Sequence, residues 1–147
     1  MELVTASAVM SFARKLEEDS AHFYEEIAAT FNRDPEVFMS FAKENRRNIK
    51  QAERAYYGVI SDALEGCFSF VIDTGKYEIA PVPGKTNSFL DAIKQALEIE
   101  KTIGNFYTDA AEQSKAFLAD VARVFRLLAK IREQRQAKLE SYLVGEA

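Results

Sequence analysis

A chain of 147 residues with one cysteine, one histidine and a formal net charge of −4 has the size of one domain, long enough to bury a core without a covalent staple. A lone cysteine excludes an intrachain disulfide, the Cys and His content excludes a zinc cluster, and the acidic balance argues against nucleic acid and anionic membrane as partners. The longest purely apolar runs are a few residues, far short of a membrane span, and the opening Met-Glu-Leu-Val-Thr-Ala has no basic region, so no signal peptide is predicted and a reducing cytoplasm is the expected compartment.

In chain order, the first predicted helix covers about Ala6 to Phe31. Ala13, Leu16, Ser20, Ala21, Tyr24, Ile27 and Phe31 recur at steps of three and four and form one stripe. The Asn32-Arg33-Asp34-Pro35 segment ends it, with Asp34 read as an N-cap and Pro35 as the first residue of the second helix. That helix runs to about Tyr57, with Gly58 as its stop and a stripe of Phe38, Phe41, Ile49, Ala52 and Tyr56; Asn45 and Asn48 lie within the stripe. Residues 59–87 break the period. Ser61 to Glu65 suits a helical turn, and the alternation around Phe68, Phe70 and Ile72, followed by Asp73-Thr74-Gly75, suits either a short hairpin or an extended strap. Pro81, Pro83 and Gly84 exclude a helix there. The segment is long enough to cross a bundle from end to end, which predicts that the second and third helices run parallel.

The third helix is expected from Asn87 or Ser88 to about Glu112, with Asp91 placed as a capping-box partner of Ser88 and a stripe of Ile93, Ala96, Ile103, Tyr107 and Ala110 that contains Glu100. The fourth begins between Ser114 and Leu118 and runs to about Val144, its stripe being Leu118, Val121, Phe125, Leu128, Leu139 and Tyr142. Arg132 and Arg135 fall inside that stripe.

The chain repeats itself. Leu16 to Ala28 returns 83 residues later: Glu17 as Glu100, Phe23-Tyr24 as Phe106-Tyr107, Ala28 as Ala111, and upstream Ala13 as Ala96. The second helix returns in the fourth, where Phe38, Ala42-Lys43, Glu53 and Gly58 match Phe125, Ala129-Lys130, Glu140 and Gly145. Two helical hairpins of one design, joined by a strap at about 59–87, make a single all-α domain spanning 1–147. In each copy a glutamate sits on the core-facing stripe. Desolvating a carboxylate costs several kcal/mol unless a partner compensates it, so Glu17 and Glu100 are the candidate site residues.

These features resemble the ferritin-like superfamily, and most closely its rubrerythrin-type domains, over nearly the whole chain. The resemblance implies a ferritin-like four-helix bundle: two helical hairpins joined by a long crossover. In that family each odd helix gives one Glu and each even helix a Glu-x-x-His pair, all pointing inward to hold two irons, where oxygen or peroxide is reduced. Carried across, Glu17 and Glu100 match the odd-helix carboxylates. The even-helix positions hold Asn45 and Asn48 in Phe-Ala-Lys-Glu-Asn-Arg-Arg-Asn, and Arg132 and Arg135 in Leu-Ala-Lys-Ile-Arg-Glu-Gln-Arg. Four of six ligand positions are thereby replaced, and His22 lies off the stripe. Arginine cannot ligate iron, but its guanidinium fork suits a carboxylate.

Three readings of Glu17 and Glu100 follow: a structural core paired with Arg132 and Arg135, with the partners open; ligands of a real metal; or surface residues misread. Glu44 and Arg47 keep an i, i+3 spacing that leaves room for an altered site. Tyr24 and Tyr107 read as core residues capped by hydrogen bonds, Met10 and Met39 as core, and Cys67 as a buried apolar residue. The expected function is a ferritin-like, rubrerythrin-like protein with a degenerate di-iron site and no cofactor, acting as a binding or scaffold module and pairing as a homodimer. The alternative is a non-haem iron oxidoreductase reducing peroxide or oxygen, or an iron-handling protein, with altered ligands. No rubredoxin-like Cys-x-x-Cys pairs are present.

Overall fold

The computed structural model describes residues 2–3, 5–59, 70–84, 88–115 and 119–145. It is mostly helical: α1 (Ala6–Phe31), α2 (Pro35–Val59), α3 (Phe89–Ser114) and α4 (Ala119–Gly145), with two short strands, β1 (Glu2–Leu3) and β2 (Ile72–Asp73). Among the described residues no helix is long and apolar enough to cross a membrane.

The helix ends follow local chemistry. Thr5 caps α1, its hydroxyl accepting the Ala8 N–H at 3.1 Å, and Ser88 caps α3 by accepting from the Asp91 N–H at 3.3 Å. The chain leaves α1 through Asn32 and Asp34, both left-handed (φ 47° and 48°), a conformation that Asn and Asp tolerate better than other side-chain-bearing residues. Asp34 departs from its expected capping role. Its carbonyl accepts the Val37 N–H at 3.0 Å, while its carboxylate turns away to accept the Tyr142 hydroxyl at 2.9 Å. At the other end of the second hairpin, α3 continues to Ser114 and α4 starts at Ala119; the expected core residue Leu118 lies outside the described residues.

α1 packs on α2 and α3, and α4 packs on α3 and α2. Aromatic contacts give the directions. Phe12 meets Phe106 (centroids 5.3 Å apart) and Phe31 meets Phe89 (5.7 Å), so α1 and α3 run in opposite senses. Phe38 stacks on Tyr142 (5.8 Å) while Asn45 meets Arg135, so α2 and α4 do too. The predicted stripes are the buried faces, except that Phe31 and Phe41 are only half-buried and Met39 is 40% exposed rather than core.

The described part of the connection between α2 and α3 is an extended strap. Asp73-Thr74-Gly75 does not turn a hairpin. It opens a 3₁₀ turn (Thr74–Lys76), with the Asp73 carboxylate accepting the Gly75 N–H at 3.0 Å. The partner of β2 is the N-terminal β1, antiparallel, with Leu3 opposite Ile72. The Ser61–Glu65 turn and Cys67 lie outside the described residues. Side chains of α3 pin the strap. Gln113 accepts the Val71 N–H at 2.8 Å and donates to its carbonyl at 3.0 Å, the Tyr77 hydroxyl donates to Asp109, and Gln95 accepts the Gly84 N–H at 2.9 Å. Leu3, Phe70, Ile72 and Tyr77 are buried in this layer, and Tyr77 packs on Phe106 at 5.6 Å. Phe12, Phe23 and Phe106 are therefore buried although they lie outside the predicted stripes.

Phe106, fully buried between Phe12, Tyr77 and Tyr107, joins the strap to the helices. Phe106→Ala should cost about 3–5 kcal/mol in urea unfolding. A loss under about 1 kcal/mol, the size of an ordinary surface change, would show that the strap does not pack there.

Candidate functional site

Each helix brings polar side chains into the core at one level. Glu17 and Ser20 come from α1, Asn45 and Asn48 from α2, Glu100 from α3, Arg132 and Arg135 from α4, and all seven are buried. Spacing explains the grouping. On α1, Glu17, Ser20 and Tyr24 recur at steps of three and four on one face, and Glu100 and Tyr107 are seven apart, two turns along one face of α3.

The centre is Arg132, which has no exposure. Its Nη2 donates to Glu17 Oε2 at 2.5 Å and its Nη1 to Glu100 Oε1 at 2.8 Å, and Nη1 also donates to Ser20 Oγ at 3.0 Å. One guanidinium thus spans both carboxylates, in place of a fork gripping a single one. Arg135 lies outward of it. Its Nη1 donates to Asn45 Oδ1 at 2.6 Å and to Glu100 Oε1 at 3.3 Å, and its Nη2 pairs with the partly exposed Glu44. Its guanidinium carbon lies 4.6 Å from the Phe41 ring centroid and 5.5 Å from that of Tyr24, distances at which a ring quadrupole attracts a cation. Asn45 Nδ2 donates to Ser20 Oγ at 2.9 Å.

The two tyrosines close the site from opposite ends, and they do so reciprocally. Tyr24 of α1 donates to Glu100 Oε1 of α3 at 2.5 Å, and Tyr107 of α3 donates to Glu17 Oε1 of α1 at 2.6 Å. Behind them the repeat also appears in the packing: Tyr24 stacks on Phe38, and Tyr107 lies on the equivalent Phe125.

Burial and charge set the protonation states. Burial opposes the Arg132 charge, but Glu100 and Glu17 outweigh it and hold the guanidinium protonated. Arg135 is held the same way, with burial opposing and Glu100 prevailing. Both phenols are pushed well above the usual tyrosine range, Tyr24 by burial and then by the charge of Glu100, Tyr107 by burial and then by that of Glu17. Among the described residues, four buried atoms have no hydrogen-bond partner: Glu100 Oε2, Arg132 Nε, Arg135 Nε and Asn48 Nδ2.

The chain matches no protein-family model, no curated protein and no solved structure. What the arrangement can do must therefore be read from its own atoms. Its carboxylates are engaged by N–H and O–H donors, its guanidiniums cannot release a proton near neutral pH, and among the described residues no thiol or imidazole joins it. Among the described residues no group of three or more His, Cys, Asp or Glu side chains is placed to hold a metal ion. His22 is on the surface, 3.9 Å from Glu26, and Arg47 and Glu133 are exposed. Sequence reasoning gives Ser20 no role, although its place on the stripe one turn from Glu17 is a usable signal.

Removing Arg132 alone would leave two buried carboxylates facing one another. Arg132→Leu should cost about 3–5 kcal/mol. The double variant Glu17→Leu with Arg132→Leu leaves Glu100 balanced by Arg135 and should be much milder than the single change, in a denaturant-unfolding cycle. Single losses below about 1 kcal/mol, the range of exposed pairs, would mean that the network is not buried.

The phenols give an independent check. A folded-state pKa above the unfolded value of about 10 contributes stability that is fully present below that value and is lost as pH rises toward the folded pKa, by about 1.4 kcal/mol per pH unit for each tyrosine. Tyr77 and Tyr142 are pushed up to about 12, by burial and then by bonds to Asp109 and Asp34. Ultraviolet titration of tyrosinate should show Tyr24 and Tyr107 ionising only as the protein unfolds. Their reversible ionisation near pH 10 in folded protein would contradict the closed site.

Proposed function

We propose that this chain is a ferritin-like four-helix bundle of the rubrerythrin type in which an ion-pair network occupies the place of a metal centre, and that it acts in the cytoplasm as a binding or scaffold module in paired copies. The observation that carries this reading is the Arg132 guanidinium between Glu17 and Glu100, all three without exposure.

The bundle is supported by the directions of the helices. α1 opposes α3 across their aromatic contacts, and α2 follows α1 after a turn of only Asn32 to Asp34. α2 and α3 are then parallel, as a long crossover between two hairpins requires. The internal repeat of the sequence agrees with that topology.

A di-iron group does not fit the residues present. Two irons need several carboxylate or imidazole ligands and place positive charge between the carboxylates. Here a permanent cation already bridges them, a second lies beside it, and the remaining positions offer the amides Asn45 and Asn48. A function without chemistry at the core directs attention to the surface, and the net charge of −4 favours protein partners over nucleic acid.

Anaerobic ferrous titration followed by air should produce no carboxylate-bridged ferric absorption and no stoichiometric iron after desalting. Two irons bound per chain would overturn the proposal and favour an iron-dependent oxidoreductase or iron-handling protein.

A further inference from the structure

The exposed side of the second hairpin carries a groove of about 620 Å³ between α3 and α4. Small residues, among them Gly104 and Ala129, line it, and its charged residues are Lys101 and Glu112 on α3 and Arg126, Lys130 and Glu133 on α4. We propose that this groove is the interface through which two copies of the chain pair, about a two-fold axis lying in the α3–α4 face and perpendicular to both helices. The proposal rests on the pairing suggested above and names its surface.

The first observation is the glycine. Glycine is the poorest helix former after proline, and Gly104 sits well inside α3. Nothing among the described residues demands it there. A Cβ at Gly104 would meet only Arg132 Cβ, at 3.8 Å, an ordinary van der Waals distance. An alanine would be accommodated and would strengthen the helix. A close approach from outside accounts for the missing side chain, since glycine lets a neighbouring helix come near.

The charges supply the second observation. A two-fold interface is self-complementary: residue i meets residue j of the other copy, and j meets i. With α3 lying antiparallel over its own copy, Lys101 meets the copy's Glu112 when the axis passes between Phe106 and Tyr107. With α4 treated likewise, Arg126 meets the copy's Glu133 when the axis passes between Ala129 and Lys130. These two points need not have coincided, yet they do. Gly104 lies against Arg132 and the helices run in opposite senses, as the Glu100–Arg132 and Tyr107–Phe125 contacts require. Advancing along α3 from Gly104 to the Phe106–Tyr107 midpoint moves back along α4 by the same number of residues, from Arg132 to the Ala129–Lys130 midpoint. One axis therefore satisfies both pairs, giving four cross-copy ion pairs of opposite charge, while Lys130, next to the axis, faces the Lys130 of the other copy.

Within one copy these groups have weak alternatives. Lys101 lies 3.8 Å from Glu98 and Glu112 2.5 Å from Lys115, both exposed i, i+3 pairs. Exposed pairs of this kind contribute little and exchange readily. Complementary charge across an interface chiefly sets register and partner choice, so the assembly should weaken as salt rises.

Sedimentation equilibrium of the full chain tests this. Wild-type protein should be dimeric at micromolar concentration in low salt and should dissociate progressively as sodium chloride is raised. Gly104→Leu should raise the dimer dissociation constant at least tenfold while the helical circular dichroism is kept. Lys101→Glu should do the same. Lys101→Glu with Glu112→Lys should return the constant to within about threefold of wild type, because the reversed pair is again complementary across the axis; Arg126→Glu with Glu133→Arg gives the parallel test. A 16.6 kDa species at every concentration would overturn both the pairing and this interface. A wild-type dimer indifferent to Gly104→Leu and to the charge reversals would overturn the interface alone. Neither result bears on the ion-pair core, which is read from iron binding and from unfolding.

Discussion

Placing the Arg132 guanidinium between two carboxylates, with all three groups withdrawn from water, is the constraint to which the surrounding interior conforms. Each buried ion carries a desolvation cost of several kcal/mol, repaid only when geometry is good and the remaining lone pairs and protons find partners. Ser20, Asn45, Tyr24 and Tyr107 are those partners, and each is on a helix face already turned inward for apolar packing. The repayment is incomplete, since Glu100 Oε2 and both arginine Nε atoms have no partner among the described residues. A wholly apolar core would avoid that cost. The ionic core adds intolerance of error: sliding α1, α3 or α4 by a turn would separate a charge from its counter-charge inside a medium that cannot screen it.

The strap shows how the protein deals with its other awkward surface. α1 and α3 each carry apolar residues on a flank that neither α2 nor α4 covers. The segment from Phe70 to Gly84 covers part of it with Phe70, Ile72 and Tyr77, and it is pinned by bonds from α3 side chains. A glutamine that both accepts from and donates to the backbone of Val71 does locally what a neighbouring strand would do in a sheet. The two-residue β1 adds a second anchor and draws the N-terminal segment into the same layer.

Much of the helical core is legible in the sequence. A carboxylate on an apolar helical stripe is conspicuous because it is costly, and its return 83 residues later at Glu100 marks both members. Arg132 and Arg135 are visible by the same period. The partnering is not: whether Arg132 grips one carboxylate or spans two depends on the relative heights of α1, α3 and α4, which no single-helix pattern contains. The strap is harder still. Its strand partner is Glu2–Leu3, too short for any periodicity to announce, and the turn-like Asp73-Thr74-Gly75 has chemistry that serves a 3₁₀ turn equally well. Phe12, Phe23 and Phe106 escape the pattern because a single stripe describes a helix covered on one side only. Asp34 misleads for a related reason: its residue type suits a cap, but its carboxylate is claimed by Tyr142 from another helix.

The reciprocal bonds of Tyr24 to Glu100 and Tyr107 to Glu17 make the two hairpins look interchangeable, but the fully buried charges do not repeat with them. The first hairpin brings one buried anion, Glu17, with only amides and hydroxyls beside it. The second brings one anion and two cations. Two copies of the first hairpin closed on each other would trap two carboxylates with no counter-ion, and two copies of the second would trap a surplus of guanidinium. Only unlike halves give a neutral interior. The duplication visible in the sequence is thus a duplication of shape, while charge gives each half a polarity, like the two sides of a clasp, and admits only the pairing in which each meets its opposite.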